Sequence, residues 1–330
     1  MARLLLADRV KGVSDSFLTP LVAALESRHE VRFVSLGPGQ ELAAAIAWAE
    51  IVWLEWCWDH AVWATRSGLL ADRVCIVRLH SIEALQTDYP AQLDWSCVDA
   101  LVTVGQDILD VVRTRFPACL PPSMPVIANG IDMERFRPAP GVAANRFAVG
   151  WVGHIEPKKN PMLLLQVAHH LRRLDDRYRF HVAGPFTDIR TVRYMERMVD
   201  RLALGGAIRF HGSVADMPAW YANKGVLLST TMYESFGLNI GEAMAVGAFP
   251  VIHDFPGADL LWPEKCLFAS IEEACALIRS GRPGLYRDWV GSRYSLDRQA
   301  NAVLELIDRM VTANGCAPGR FLAEPRPCYF

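Results

Sequence analysis

Short apolar runs alternate with amphipathic stretches of helix length along this chain, and the alternation occurs twice. Strands that are apolar on both faces and separated by helices require a parallel sheet covered on both sides. In the first half the runs are RLLLA (3–7), VRFVSL (31–36), EIVWLEW (50–56), VCIVRLH (74–80), ALVTVG (100–105) and PVIAN (125–129). Segments such as SFLTPLVAALESR and GQDILDVVRTRF read as helices between them. The rhythm pauses at NGIDMERFRPAPGVAANR (129–146), where Gly, Pro and Ala accumulate as in a linker. It restarts with FAVGWVG (147–153), a helix over PMLLLQVAHHLRRL (161–174), RFHVAG (179–184) and a helix near 190–203. AIRFHG (207–212), VLLST (226–230), a helix near 238–246 and FPVIH (249–253) follow. With 330 residues, about twice the ~150 of a common domain, the pattern predicts two doubly wound parallel-sheet α/β domains facing a cleft. The expected divisions are 1–140 for the first domain, 141–311 for the second and 312–330 for an irregular tail without periodicity.

Composition removes several function classes. Apolar residues at 52% against 21% charged exclude wholesale disorder, and a net charge of −2 gives no support for a nucleic-acid partner. The total hides an asymmetry: residues 1–140 carry a net −5 and 141–330 a net +3, so an anionic small molecule suits the second half. The richest apolar stretch, AAAIAWAEIVWLEWCW (43–58), is shorter than the ~20 residues of a membrane span and contains Glu50 and Glu55. The apolar run before Asp8 is too short for a secretory signal. The eight cysteines form no C-x-x-C pair and no Cys/His grouping, which argues against zinc and for reduced thiols. A cytoplasmic location is expected, with peripheral membrane contact left open.

Ligands of open parallel sheets bind beyond the carboxyl ends of the strands. Five such places carry chemistry: Asp8–Gly12, Glu55–Asp59, His80–Glu83, Gly153–Asn160 and Glu234–Glu242. None contains a dinucleotide or P-loop glycine pattern, which removes the main support for a nicotinamide dehydrogenase or a P-loop enzyme. The densest signal is TTMYESFGLNIGEAMAVGAFPVI (230–252). Here Glu234 follows a strand, Ser235–Gly237 forms a turn, and a helix begins near Leu238, carries Glu242 and stops at Gly247. A turn leading into a helix N-terminus is a ready phosphate site. Eight helical residues hold a pair of side chains ~12 Å apart, beyond the ~5–9.5 Å of a glycosidase carboxylate pair. Separate tasks on one extended ligand fit the two glutamates better.

The Glu234-x7-Glu242 spacing, with FG after the first Glu and EAMA at the second, resembles the donor signature of retaining GT-B glycosyltransferases of family 4. The resemblance continues through VGHIEPKKNPMLLLQVA (152–168), HVAGPF (181–186), RFHGSV (209–214) and IANGIDMERFRP (127–138). It implies two Rossmann-like domains, with a nucleotide-sugar donor (UDP- or GDP-sugar) held mainly by the second. By the same resemblance, Glu234 would contact donor-sugar hydroxyls and Glu242 the ribose. The backbone of Phe236, Gly237 and Leu238, beside Ser235, would meet the sugar and diphosphate. Lys159, next to Gly153, would neutralise the diphosphate, and Gly212–Val214 would lie against the base. His80 matches the acceptor-domain histidine near the reacting sugar, and Gly12 a glycine near the diphosphate. The implied activity is transfer of a sugar to a hydroxyl acceptor, a sugar or a lipid-linked compound, in polysaccharide, glycolipid or glycoconjugate synthesis. No metal and no cofactor beyond the nucleotide-sugar co-substrate are expected.

One position departs from the family pattern. Five residues before Lys159, where an arginine is usual, stands His154, which offers one donor in place of a bidentate clamp. Either another cation substitutes, such as Arg78, or the donor complex is weaker, or catalysis is lost. The departure leaves a non-catalytic nucleotide-sugar-binding subunit as an alternative, beside a GT-B-like epimerase or phosphorylase. Six of the ten tryptophans lie between residues 48 and 95 and read mostly as core. Glu55, Trp58 and Asp59, just past a strand, are the candidates for an acceptor pocket, where an aromatic face suits a sugar or a lipid. Arg190, Arg193, Arg197 and Arg201 form a helical stripe that Glu196 and Asp200 interrupt, as on a solvated face.

Overall fold

The computed structural model describes residues 2–9, 15–117 and 120–315. The chain divides into two units, one comprising residues up to Gly130 with the segment from Leu296, the other Ile131–Ser295. The first unit opens with β1 (Arg3–Asp8), α1 (Asp15–Leu25), β2 (Glu30–Ser35), α2 (Gln40–Trp48) and β3 (Ile51–Glu55). It continues with α3 (Asp59–Arg66), β4 (Val74–Leu79), α4 (Ser81–Gln86), α5 (Tyr89–Gln92), β5 (Ala100–Thr103) and α6 (Gln106–Arg115). Its five strands lie in the order β2-β1-β3-β4-β5, all parallel. Every residue of β3 and β4 is buried, as the continuous apolar runs require of a sheet covered on both faces.

The second unit holds β6 (Asn145–Val152), α7 (Pro161–Leu174), β7 (Arg179–Ala183), α8 (Ile189–Arg201), β8 (Ile208–Gly212) and α9 (Met217–Tyr221). Then come β9 (Lys224–Ser229), α10 (Leu238–Val246), β10 (Phe249–His253), α11 (Ala258–Leu261), β11 (Leu267–Phe268), α12 (Ile271–Ser280) and α13 (Arg287–Tyr294). Its six parallel strands are ordered β11-β10-β9-β6-β7-β8. Asn160, in a left-handed conformation (φ 50°), caps α7 by accepting the Leu163 N–H, and Pro161 fills the first helical position. Gly184 (φ 132°) cannot bear a side chain, because a Cβ there would lie 1.9 Å from the Gly153 carbonyl oxygen. The ends of β6 and β7 are thereby held in direct backbone contact.

Ten of the eleven expected strands form within two residues of their expected bounds; the exception is PVIAN (125–129). That segment makes only one isolated bridge, Thr103–Val126, with another just before it at Ala100–Ser123. Pro121, Pro122 and Pro125 cannot donate to a ladder, so pairing stays intermittent. The expected domain boundaries also change. The division falls at Gly130, and α14 (Leu296–Gly315) returns to the first unit, where it packs on α1 and reaches β4. Ala300, Val303, Leu304, Leu306 and Ile307 form its buried stripe, so apolar burial decides where the helix docks. Residues 312–315, expected as irregular tail, are its last turn; the rest of that expectation lies outside the described residues. Gly130 meets the start of α14 closely: a Cβ would lie 2.6 Å from Leu296 Cα, and Gln299 Oε1 accepts the Gly130 N–H at 2.8 Å. Among the described residues no helix is long and apolar enough to cross a membrane, and no three His, Cys, Asp or Glu side chains form a metal-binding group.

Candidate functional site

In the second unit the expected residues gather where β6 and β9 end and α10 begins. The chain leaves β6 through Gly153 and makes one 3₁₀ turn at Pro157–Lys159. This turn is tied to the segment after β9: Met232 N–H donates to the Lys158 carbonyl at 2.9 Å, and the Thr230 hydroxyl to the Lys159 carbonyl at 2.8 Å. The Lys159 ammonium then hydrogen-bonds Glu234 Oε1, while Lys158 Nζ stands 4.0 Å from Oε2. Both members of the close pair are largely covered, with 18% of the Lys159 side chain and 10% of the Glu234 side chain exposed. Gly153 makes room for the lysine stem, since a Cβ there would sit 3.3 Å from Lys159 Cδ and Cε.

The turn into α10 is fixed from below. Phe236 is 1% exposed and packs on Trp262 and Tyr294 at ring distances of 5.3 and 5.0 Å, so its side chain anchors the turn. Gly237 adopts a left-handed conformation (φ 90°) that lets α10 start at once, and Asn239 Nδ2 binds the helix back to the Val152 carbonyl at 2.8 Å. Leu238 opens the helix, whose leading amides carry the positive end of its dipole. Gly212 (φ 65°) lies at the end of β8, where its carbonyl accepts the Gly184 N–H at 2.7 Å; Val214 follows, half-buried. His154 is exposed, and among the described residues its ring makes no hydrogen bond.

Glu242 faces α9, not Lys159: the Tyr221 hydroxyl donates to Glu242 Oε2 at 3.3 Å, and α9 was not anticipated from the sequence. Burial pushes the Glu242 carboxyl up to about 7, against the opposing pulls of Tyr221 and Arg135. The neutral acid therefore favours the folded state, fully below an ordinary glutamate pKa near 4.5 and decreasingly as pH rises through about 7. Thermal unfolding of the wild type compared with Glu242→Gln between pH 5 and 8 should show the wild type losing stability relative to the variant as pH rises. Parallel curves would mean that the carboxyl is not held neutral.

In the first unit a second cluster closes the ends of β3 and β4. Glu55 is fully buried: Oε1 faces His80 Nε2 at 2.7 Å and Arg78 Nη1 at 3.5 Å, and Oε2 accepts the Trp53 indole N–H at 2.8 Å. Burial opposes its charge, but Arg78 and the bonds from His80 and Trp53 outweigh it and hold the carboxyl below the ordinary value. Burial lowers His80 more than Glu55 raises it, so the imidazole is neutral at pH 7. Two expectations are thereby corrected. Glu55 is not an acceptor-pocket lining residue, because it is sealed behind His80. Arg78 is not a replacement diphosphate cation, because it is 1% exposed and bound to Glu55 and, through Nη2, to Asn129.

The other acceptor candidates lie at the start of α3. Trp58 precedes the helix and is half-buried, whereas Asp59 is bonded to Arg9 Nε at 2.7 Å. Gly12 lies outside the described residues. Trp56, passed over as core, has φ 69° and stacks on His80 with ring centroids 4.1 Å apart. A bulky residue in the left-handed region is strained, and the surrounding contacts must hold it there. Glu83, whose Oε1 accepts the Cys57 N–H at 2.8 Å, secures that turn from α4; burial pushes its carboxyl up to about 8.

Residues 132–261 match the family model of glycosyl transferases group 1. A D-inositol 3-phosphate glycosyltransferase of Streptomyces bingchenggensis is 32% identical over 171 residues, 47% of this chain and 37% of that protein. A namesake from Geodermatophilus obscurus is 32% identical over 143 residues, 38% of this chain and 32% of its own length. The match thus spans about a third of the length of these curated relatives. Among solved structures, Anabaena Alr3699/HepE in complex with UDP-glucose superposes with a TM-score of 0.75 at 16% identity, over 94% of this chain and 100% of that one. Sucrose-phosphate synthase from Thermosynechococcus elongatus gives 0.74 at 14% identity, over 95% and 100%. The chain therefore has the GT-B fold of two parallel-sheet α/β units, and its second unit carries the region that matches glycosyl transferases group 1.

Proposed function

We propose that the protein is a retaining glycosyltransferase of family 4 type, moving a sugar from a UDP- or GDP-sugar to a hydroxyl acceptor. The observation that carries this reading is the Lys159–Glu234 pair set beside the N-terminus of α10. Breaking the anomeric C–O bond leaves negative charge on the diphosphate and positive charge on the sugar. Lys159 and the leading amides of α10 are fixed in advance where that negative charge grows. When the ammonium turns to phosphate, Glu234 is released to accept hydrogen bonds from the sugar hydroxyls. Glu242 takes the ribose hydroxyls, the Phe236–Leu238 backbone the sugar and diphosphate, and Gly212–Val214 the base. UDP and UDP-glucose bound by the Anabaena structures support a nucleotide donor.

The acceptor oxygen bonds to the anomeric carbon on the face that the phosphate leaves, and its proton passes to the departing phosphate oxygen. No side-chain nucleophile is required, and the cations and amides above serve in place of a metal. Incubation with UDP- and GDP-sugars and simple acceptors in excess chelator should give a product whose anomeric configuration, read by NMR, equals the donor's. An inverted product would call for a general base, and turnover restored only by a divalent metal would overturn the charge assignment. Nucleoside-diphosphate binding without transfer or donor hydrolysis would favour the binding-subunit reading that His154 leaves open.

A further inference from the structure

Two hydrogen bonds and one ion pair converge on the two oxygens of one sealed carboxylate. Glu55 is hydrogen-bonded to His80 Nε2 at Oε1 and to the Trp53 indole at Oε2, and Oε1 also lies 3.5 Å from Arg78 Nη1 as an ion pair. An ionised carboxylate is acceptor-only, so the His80 nitrogen facing it must carry the proton. The neutral ring then has one lone pair left, on Nδ1. Among the described residues Nδ1 makes no hydrogen bond, and 5% of the His80 side chain is exposed. Two further contacts stop the ring from turning: Trp56 stacks on one face, and Phe17 lies 5.7 Å away at a tilt. The strained backbone of Trp56 brings its indole there.

We propose that Glu55 is a positioning residue that locks His80 as the Nε2–H tautomer, presenting Nδ1 as a fixed acceptor for a substrate hydroxyl. The proposal rests on the glycosyltransferase reading for the identity of the hydroxyl, but not for the state of the ring. It also states what His80 cannot do: as an acceptor it selects a ligand group that donates, a hydroxyl and not a phosphate oxygen. Among the described residues, the charged groups that act on the ring are Glu55 on β3 and Arg78 on β4, and Glu83 on α4 acts on Glu55 in turn. A glutamine at position 55 cannot serve both donors and has no charge to set against Arg78. With its oxygen toward Trp53 its amide N–H₂ faces His80 and demands the other tautomer. Reversed, the amide meets the Trp53 N–H.

Long-range ¹H–¹⁵N spectra of the full chain read the ring state directly, with the His80 signals identified by their absence in His80→Asn. The wild type should show a protonated Nε2 and an unprotonated Nδ1 from pH 6 to 8. Glu55→Gln should show the opposite tautomer or a mixture, and lower kcat by about 10- to 100-fold through lost orientation. Nucleoside-diphosphate affinity should stay unchanged, and Glu55→Asp should recover some of the rate. An Nδ1–H or cationic ring in the wild type would overturn the proposal. So would a Glu55→Gln protein with wild-type tautomer and kcat. Should Glu55→Gln fail to fold, the wild-type spectrum still decides. Absence of sugar transfer by the wild type would sink the glycosyltransferase reading alone, leaving the spectra to judge Glu55.

Discussion

Lys159→Ala should weaken nucleoside-diphosphate binding by about 10- to 150-fold, the equivalent of ~1.5–3 kcal/mol for a charge-assisted contact. The structure places the expectation toward the upper end of that range. Removing the ammonium deletes the phosphate's counter-charge and also strips Glu234 of its partner, leaving a carboxylate to repel the incoming anion. Lys158, 4.0 Å from the other Glu234 oxygen and more exposed, can compensate only incompletely. Lys158→Ala should therefore cost less than Lys159→Ala. The same titration calorimetry series resolves the question at position 154. Arg78 is sealed in the first unit and does not replace the missing arginine, so His154→Arg should tighten binding. Unchanged affinity in Lys159→Ala would remove the central charge from the proposed mechanism.

Glu55→Ala should be among the most destabilising single substitutions in the first unit, at about 3–5 kcal/mol. The loss is not the worth of the ion pair. It arises because Arg78, 1% exposed, is left as a buried cation with, among the described residues, only the Asn129 amide to receive it, while Trp53 and His80 lose their acceptor. The two-sided replacement Glu55→Leu with Arg78→Met should restore much of the stability, because no buried charge then lacks a partner. Urea unfolding followed by the tryptophan-rich first unit measures both. A double variant no better than Glu55→Ala would show that the cluster contributes through packing and not through charge.

The sheets were legible because their strands are apolar on both faces, and β3, β4 and β9 are buried throughout. Lys159, Glu234 and the Gly237 turn were legible for a related reason. They lie at strand ends within one contiguous unit, where parallel-sheet geometry dictates that loops gather. The Glu55 cluster was not. Its members stand on different strands, and whether a strand-end carboxylate faces inward or outward depends on which donors the neighbouring strands bring. Arg78 beside Asn129, 51 residues away, and Trp53 at the second oxygen have no local signature. The left-handed Trp56 was equally hidden, since that conformation is not a preference of tryptophan and is imposed by what surrounds it. The position of α14 escaped because its amphipathic stripe shows that it docks, not where.

The return of α14 to the first unit also bears on how the chain is made. During synthesis the second unit, continuous from Ile131 to Ser295, has all its residues outside the ribosome before the first unit has all of its own. The faces of α1 and β4 that α14 covers then wait for residues 296–315, open to chaperones and proteases until that helix emerges. The usual amino-to-carboxyl order of domain completion is inverted: the nascent polypeptide matures from its middle outward.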